Sequence, residues 1–512
     1  MLASPRYGEK WGRHWLDLVR FAETNSYERD NPKPNAWRYR DYVIRSFNQD
    51  KPYDQFIREQ LAGDELPDRS TDALIATGYY RLGIWDDEPT DAEQSRFDGL
   101  DDIIATTGQV FLGLTVDCAR CHDHKIDPIP QRDYYRLLAF IRNINHYRNG
   151  GPTDEAALGL GPSAGKILCV TEPGCNAPDT FVLLRGNPKA QGDLVQPGFP
   201  EVLGVKDPAL PRPGKEAKSS GRRLVLANWV ASSENPLTAR VMANRLWQYH
   251  FGRAICRSPS NFGVQGDRPT HPELLDWLAS ELVRQGWHLK ALHRLIVTSR
   301  TYRMSSRSNA HALKVDPVND LFWRFNMRRL SAEEIRDSVL AAAGTLNDTM
   351  YGPGVYVSIP REVLAGQSMP GYGWGKSSPE QQGRRSVYIH VKRSLLTPIL
   401  ETFDLAETDR STAVRFSSTQ PTQALAMLNG AFLNEQAQQF ANRIRREAGD
   451  DVAREVRLAL CLALSRLPTG EEIDHDARWI EELQKTNGLT PAVALKYYCL
   501  MVLNLDEFIY LD

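Results

Sequence analysis

Apolar side chains in the first part of the chain recur at intervals of three and four residues. Over residues 5–23 this stripe consists of Tyr7, Trp11, Trp15, Leu18 and Ala22. Such spacing is typical of the buried face of an amphipathic helix. The same pattern predicts further helices at 36–48, 52–62, 70–80, 97–114 and 133–144. We therefore predict a helical N-terminal domain over residues 1–146.

The pattern changes between residues 147 and 220. Gly and Pro become frequent there, and the apolar runs shorten to segments such as 167–170 and 180–184. Short apolar runs bounded by turn residues are typical of strands. We predict a small β and loop-rich insert over 147–220, which closes in the Pro-rich linker 211–214.

Helical spacing resumes after residue 220. A capping box formed by Thr270 and Glu273 is predicted to start one of the helices at Pro272. The span 346–392 is less regular and marks a candidate break inside the C-terminal domain, residues 221–512. The predicted helices of this domain lie at 235–250, 272–284, 289–302, 331–345, 421–447, 451–465, 469–485 and 490–504. The predicted fold class is mainly α.

Composition excludes several classes of protein. A chain of 512 residues is too long for one ordinary core, and 41% hydrophobic with 25% charged residues is typical of a soluble globular protein. The 62 basic and 64 acidic side chains nearly balance, so the net charge of the whole chain creates no positive electrostatic field that would attract nucleic acid or anionic lipid. No apolar run is long enough for a transmembrane segment. We predict neither nucleic-acid binding nor a membrane span.

One pentapeptide carries the candidate chemistry of the chain, Cys118-Ala119-Arg120-Cys121-His122. Two thiols at this spacing can add to the two vinyl groups of one haem, and the adjacent imidazole can bind the iron. Because the chain has only 7 Cys and 11 His, chance does not account for this order and spacing. The residues predict haem c, with Cys118 and Cys121 as thioether anchors and His122 as an axial iron ligand.

Two other interpretations of the pentapeptide stay open. The two thiolates with His122 or His124 could supply three or four ligands to zinc. A zinc site usually has a second Cys or His pair at a matching distance, and none follows downstream. Alternatively, Cys118 and Cys121 are buried or oxidised cysteines with a structural role beside a surface histidine.

An acidic stretch precedes the motif. Between residues 86 and 102 only Arg96 offsets its carboxylates, which are Asp86, Asp87, Glu88, Asp91, Glu93, Asp98, Asp101 and Asp102. Carboxylates favour a helix N-terminus, and a predicted helix follows directly. A calcium site or a docking face for a cationic partner is the alternative.

Longer motifs occur in both halves of the chain. In the first half they are segments 15–17, 20–23, 36–44, 50–56 and 118–125, and in the second half 235–241, 244–247, 268–278 and 420–425. The first set resembles the CxxCH-containing domain of unknown function found in planctomycete cytochrome-c-associated proteins, and the second set resembles its usual partner, the planctomycete-specific C-terminal domain. Together these motifs extend over nearly the whole chain.

The resemblance implies a periplasmic or extracellular protein whose partner is a fused or separate cytochrome-c domain or another redox protein. Such proteins often begin with a signal sequence and a cytochrome-c-like domain. This chain opens at Met1 with neither, which suggests N-terminal truncation. Proteins of this kind have no settled biochemical activity.

Departures from small cytochromes keep several functions open. Gly108, Phe111 and Gly113 do not keep the usual register of glycine and aromatic residues before the motif, and the candidate distal ligands are His124, His146 and Met304. The first function is electron transfer or redox chemistry at a haem. The second is a zinc- or calcium-dependent hydrolase or carbohydrate-processing protein, and the third is a non-catalytic scaffold. In the second, the metal-binding or proton-transferring groups would be His122, His124, Asp17, Glu23 and Asp123. Whether the chain is an enzyme is left undecided.

Overall fold

A computed structural model describes residues 1–145, 165–214 and 216–512 of the chain. About 50% of the residues are helical and 4% lie in strands, which confirms the mainly α class. The described chain forms two compact units, and each unit contains segments from distant parts of the sequence. The first comprises Met1–Phe325, Val391–Ser394 and Glu407–Val414, and the second Asn326–His390, Leu395–Ala406 and Arg415–Asp512.

The domain limits expected near residues 146, 220 and 346–392 stay predictions. The first of them, together with His146, lies outside the described residues. In the described ranges, no helix combines the length and the apolarity needed to span a bilayer.

The described residues of the first unit form eleven α-helices and one β-hairpin. Strand β1, Thr180–Leu183, pairs antiparallel with β2, Gln191–Val195, within the predicted insert. The helices are α1 Arg6–Leu18, α2 Ala36–Asn48, α3 Tyr53–Ala62, α4 Thr71–Ala76, α5 Ala92–Thr107, α6 Gln131–Ile141, α7 Arg222–Val230, α8 Thr238–Phe251, α9 Pro272–Arg284, α10 Leu289–Thr298 and α11 Ala310–Val315.

The core of the first unit is built around Trp15 on α1. Its indole nitrogen donates to the Tyr39 hydroxyl at 3.1 Å and to Gln60 Oε1 at 3.2 Å, so the polar edge of the buried ring is satisfied. Helices α1 and α2 approach closely beside it. A Cβ on Gly8 would lie 2.2 Å from the carbonyl oxygen of Ile44, and only glycine permits this approach.

The second unit contains ten further helices and a short antiparallel pair of strands, β3 Arg328–Arg329 and β4 Tyr510–Leu511. Its core includes Val339, Phe440, Leu460 and Tyr498, which come from four of the longer helices. The helices are α12 Ala332–Ala343, α13 Arg361–Ala365, α14 Pro379–Gln382, α15 Pro398–Thr402, α16 Pro421–Asn429, α17 Ala431–Ala448, α18 Val452–Leu464, α19 Gly470–Asn487, α20 Pro491–Val502 and α21 Asp506–Ile509.

Two local predictions are wrong. The helix expected over 421–447 is two helices, because Gly430 is extended at ψ 135° and ends the first of them. The predicted capping box before α9 is absent: the helix is preceded by His271, without a side-chain cap. Thr270 instead donates from its backbone nitrogen to the Ile255 carbonyl at 3.0 Å, so a tertiary contact determines its position.

The contact between α3 and α4 provides a test of the fold. A methyl group on Gly63 would lie 1.9 Å from the Ala73 carbonyl oxygen, so Gly63→Ala must displace backbone. We expect this variant to lose about 3 kcal/mol of unfolding free energy. The control is Gly214→Ala, which has no atom within 4 Å of the new methyl group and should change little. Urea unfolding followed by circular dichroism measures both, and equal stability of the two variants would contradict the packing described for α3 and α4.

Candidate functional site

The CxxCH motif lies on a surface turn that follows α5. Helix α5 continues into a π turn, Gly108–Leu112, and Gly113 then reverses the chain at φ 62°. The Gly113 carbonyl accepts a hydrogen bond from Phe262 N at 2.7 Å. A 3₁₀ turn, Asp117–Arg120, carries the first cysteine. The chain therefore runs from the buried end of this helix into an exposed loop, and this loop carries the motif.

The two motif thiols are both free and exposed. Partial burial, followed by the carboxylates of Asp117 and Asp127, raises the pKa of the Cys118 thiol above its ordinary value. Cys118 is therefore protonated at neutral pH. The thiol of Cys121 lies against Gly186, where a Cβ would be 3.0 Å from the sulfur. Both sulfurs are thus placed on one short turn with their reactive atoms near the surface.

The backbone of the motif is anchored through the carbonyl of Arg120. That oxygen accepts hydrogen bonds from the Tyr135 hydroxyl and from Gln131 Nε2, each at 2.8 Å. Gln131 Nε2 also donates to the Leu183 carbonyl of β1 at 3.0 Å, which connects the motif to the hairpin. The Arg120 guanidinium pairs with Asp101 at 3.2 Å. Residues before and after the motif therefore hold its turn in place.

His122 is exposed, and one of its two ring nitrogens forms a hydrogen bond with the backbone. Its Nδ1 lies 2.6 Å from the carbonyl oxygen of Asp123. Because a carbonyl oxygen only accepts, Nδ1 carries the proton and donates it. The lone pair of the neutral ring is then on Nε2, the arrangement found in histidines that bind a metal through Nε2.

His124 has the opposite tautomer. Its Nδ1 accepts hydrogen bonds from the backbone nitrogens of Asp127 at 2.8 Å and Ile126 at 3.2 Å. The proton is therefore on Nε2, which lies 3.7 Å from Asp127 Oδ2, and the side chain is only 8% exposed. Asp127 in turn accepts a hydrogen bond from Val264 N at 2.6 Å. Both nitrogens of His124 thus stabilise the loop and do not offer a lone pair to a ligand.

The residues predicted for a hydrolytic metal site contact separate partners. Asp17 pairs with Arg13, Glu23 accepts a hydrogen bond from Val391 N at 3.2 Å, and Asp123 Oδ1 accepts one from Gln131 N at 2.8 Å. Over 1–145, 165–214 and 216–512, no three His, Cys, Asp or Glu side chains converge as metal ligands. Of the predicted distal ligands, Met304 is 37% exposed.

The acidic stretch before the motif is engaged by hydrogen bonds and ion pairs. Asp91 Oδ1 accepts hydrogen bonds from Glu93 N and Gln94 N at 3.1 Å and caps α5, as the helix-terminus interpretation requires. The other pairings bring in partners that lie outside the stretch. They are Arg20 with Asp102, Arg29 with Glu88, Arg120 with Asp98 and Asp101, Lys189 with Asp91, and Asn25 and Asn31 with Asp87.

A buried cluster of cations in the first unit has no counterpart in the sequence-based predictions. Arg20 donates to both carboxylate oxygens of Asp102 at 2.9 Å, and Lys33 donates to the Gly83 carbonyl. Burial, followed by Arg393 and Arg20, lowers the pKa of Lys33 well below its ordinary value. These residues come from distant segments, so no local spacing could have identified them. They hold the loop that follows α1.

Two family models match the chain. One, PSCyt2, is described as a protein of unknown function (DUF1549) and matches residues 1–146; the other, PSD1, is described as a protein of unknown function (DUF1553) and matches residues 222–480. No curated protein and no solved structure matches the chain. The two domains occur in the order that the resemblance implies. Because the second match spans half of the chain, the chain belongs to the DUF1553 (PSD1) family and has a DUF1549 (PSCyt2) domain ahead of it.

Proposed function

We propose that this chain is an extracytoplasmic c-type haem protein with an electron-transfer or other redox role. Cys118 and Cys121 would hold the haem through thioether bonds, and His122 would bind the iron. The observation that carries the proposal is the hydrogen bond from His122 Nδ1 to the Asp123 carbonyl. It leaves the Nε2 lone pair available on the same loop as two exposed, free thiols.

The geometry favours haem over zinc. From this segment haem requires two thiols and one imidazole, and all three are present and exposed. A structural zinc site requires four ligands, of which the cysteines must be thiolates. His124 Nδ1 is engaged by two backbone nitrogens of its loop, so this segment offers zinc only Cys118, Cys121 and His122, one donor fewer than such a site needs.

Each part of the motif would have a separate task. Cys118 and Cys121 would hold the haem, each thiol giving its sulfur to the inner carbon and its proton to the outer carbon of one vinyl group. The Asp123 carbonyl orients the His122 ring, while Tyr135 and Gln131 hold the carbonyl of Arg120. Bound haem would supply one-electron chemistry to this position.

Export and a redox partner belong to the same proposal. Covalent attachment of haem takes place outside the cytoplasm, and the matched domains are those of cytochrome-c-associated proteins. A fused or separate cytochrome-c domain is therefore the partner that we propose.

The two histidines provide a matched pair of variants. In protein produced in the periplasm together with a haem-maturation system, His122→Ala should change the Soret maximum and spin state of any attached haem. Added imidazole should restore them, because it replaces the missing ligand. His124→Ala should leave the haem spectrum unchanged. Absorption spectra of the three proteins measure this, and a spectral change confined to His124→Ala would assign the ligand to His124 instead.

A further inference from the structure

The chain between α10 and Phe325 exposes a series of aliphatic side chains. Val315 is 66% exposed, and Val318 and Leu321 are each 58% exposed. Leu313 on α11 precedes them and is 37% exposed. We call these four residues the aliphatic strip.

Exposed residues of the strip alternate along the chain with buried residues, which we call its anchors. Asp316, Asn319 and Phe322 are buried, and each directly follows one of the exposed residues Val315, Val318 and Leu321. The outward and inward positions therefore both recur every third residue. This regularity indicates a built surface, because a loosely attached loop has no such inward period.

Hydrogen bonds fix the backbone of the strip. Asp316 accepts hydrogen bonds from the backbone nitrogens of Asp320 at 2.9 Å and Leu321 at 2.8 Å. Arg253 donates to the Val318 carbonyl at 2.8 Å. Below the strip, the Phe322 ring packs 5.2 Å from the Trp247 ring, measured between centroids.

The backbone is also strained at two anchors. Asn319 has φ 57° and Phe322 has φ 53°. A bulky residue such as Phe rarely adopts this left-handed conformation, and strain of this kind is concentrated at functional segments. Packing against Trp247 holds the Phe322 ring inward in this conformation, and the neighbouring Leu321 lies outward.

Basic side chains surround the strip in the sequence. From residue 290 to 324 the chain has seven Lys or Arg and two Asp. Asp316 is bound by backbone nitrogens, and Asp320 pairs with Arg253 at 3.0 Å and with Arg257. The exposed basic residues of this segment are Arg294, Arg300, Arg303, Arg307 and Lys314.

This local excess of cations differs from the charge of the whole chain. The net charge of -2 predicts no attraction to anionic lipid. Salt screens charges beyond about 8 Å under physiological conditions, however, so the nearest side chains determine the field at a surface. Lys314 lies within the strip, and Ser305, between Arg303 and Arg307, accepts a hydrogen bond from Phe325 N at 3.1 Å, which holds that basic segment beside the residues that follow the strip.

We propose that the aliphatic strip inserts into the interface of an anionic lipid bilayer, while the neighbouring arginines and lysine bind lipid headgroups. Aliphatic side chains with basic neighbours are the combination that holds peripheral proteins on anionic membranes. A protein partner is less suited, because protein interfaces concentrate aromatic anchors and the strip contains only Leu and Val. The proposal is independent of any haem on the CxxCH motif.

The test is co-sedimentation of the full chain with vesicles. We expect binding to phosphatidylcholine vesicles that contain phosphatidylglycerol, weaker binding at high salt, and little binding to phosphatidylcholine alone. The double variant Val318→Asp/Leu321→Asp should weaken binding by a factor of about ten or more, because it removes apolar contact and adds negative charge. Both positions are exposed, so circular dichroism should show an unchanged fold.

Two further variants separate the contributions. Leu194→Asp changes a side chain that is 50% exposed on β2 and should bind vesicles as the unchanged protein does. Arg303→Gln/Arg307→Gln should weaken binding only to the anionic vesicles. The proposal is overturned if the unchanged protein does not bind anionic vesicles, or if the double Asp variant binds them equally well. Binding to a soluble acidic protein without vesicle binding would likewise overturn it.

Discussion

Replacing Arg393 with methionine is expected to destabilise the first compact unit by about 3–5 kcal/mol. The side chain is buried and pairs with Asp409 at 3.0 Å. Burial lowers the pKa of Arg393 to about 10, so it is still charged at neutral pH. Its guanidinium also donates to the backbone carbonyls of Arg20, Thr24, Leu82 and Thr408. Methionine has a similar length but leaves these acceptors without a donor.

Arg410→Met is the matched control. Arg410 lies on the neighbouring segment of the same unit and forms an exposed pair with Glu407 at 2.6 Å. Exposed pairs contribute little, so we expect a change within about 0.5 kcal/mol. Urea unfolding and hydrogen exchange of the loop after α1 measure both effects. Similar losses in the two variants would contradict the role assigned to Arg393.

Replacing both motif cysteines with alanine should abolish covalent haem. In the proposed site each thiol would form one of the two thioether bonds, so the double variant Cys118→Ala/Cys121→Ala would have no attachment point. Each single variant retains one bond, and its reduced haem should absorb at a longer wavelength because one vinyl group stays unsaturated. Intact mass and the spectrum of the denatured, reduced haem in pyridine measure these outcomes.

The control for the cysteine variants is Cys175→Ala. Cys175 is also free and partly exposed, but it lies outside the motif, so its replacement should leave the haem content unchanged. Covalent haem on the double variant would show that attachment takes place elsewhere. Stoichiometric zinc in the unchanged protein, lost in the double variant, would instead support the zinc alternative.

Helices with a strong apolar stripe could be predicted closely from the sequence. The predictions of 36–48 and 272–284 agree with α2 and α9 as observed. Local pattern was insufficient where tertiary contacts decide the outcome. Thr270 donates its backbone N–H to the Ile255 carbonyl and does not cap α9.

The candidate site could be predicted only in part. Spacing identified Cys118, Cys121 and His122 as a group. For zinc it left His122 and His124 as alternatives, because the difference between them depends on which ring nitrogen faces a carbonyl and which faces backbone nitrogens. Gly186 packs against the Cys121 sulfur but lies dozens of residues after the motif, so no local sequence pattern could have predicted this contact.

The central claim is that one haem is bound covalently at the CxxCH motif. Its most direct test is the intact mass of the unchanged chain, secreted to the periplasm in cells that express a haem-maturation system. We predict the mass of the polypeptide plus one haem, together with a Soret band that persists after denaturation. The mass of the bare polypeptide, with no Soret band, would contradict the account.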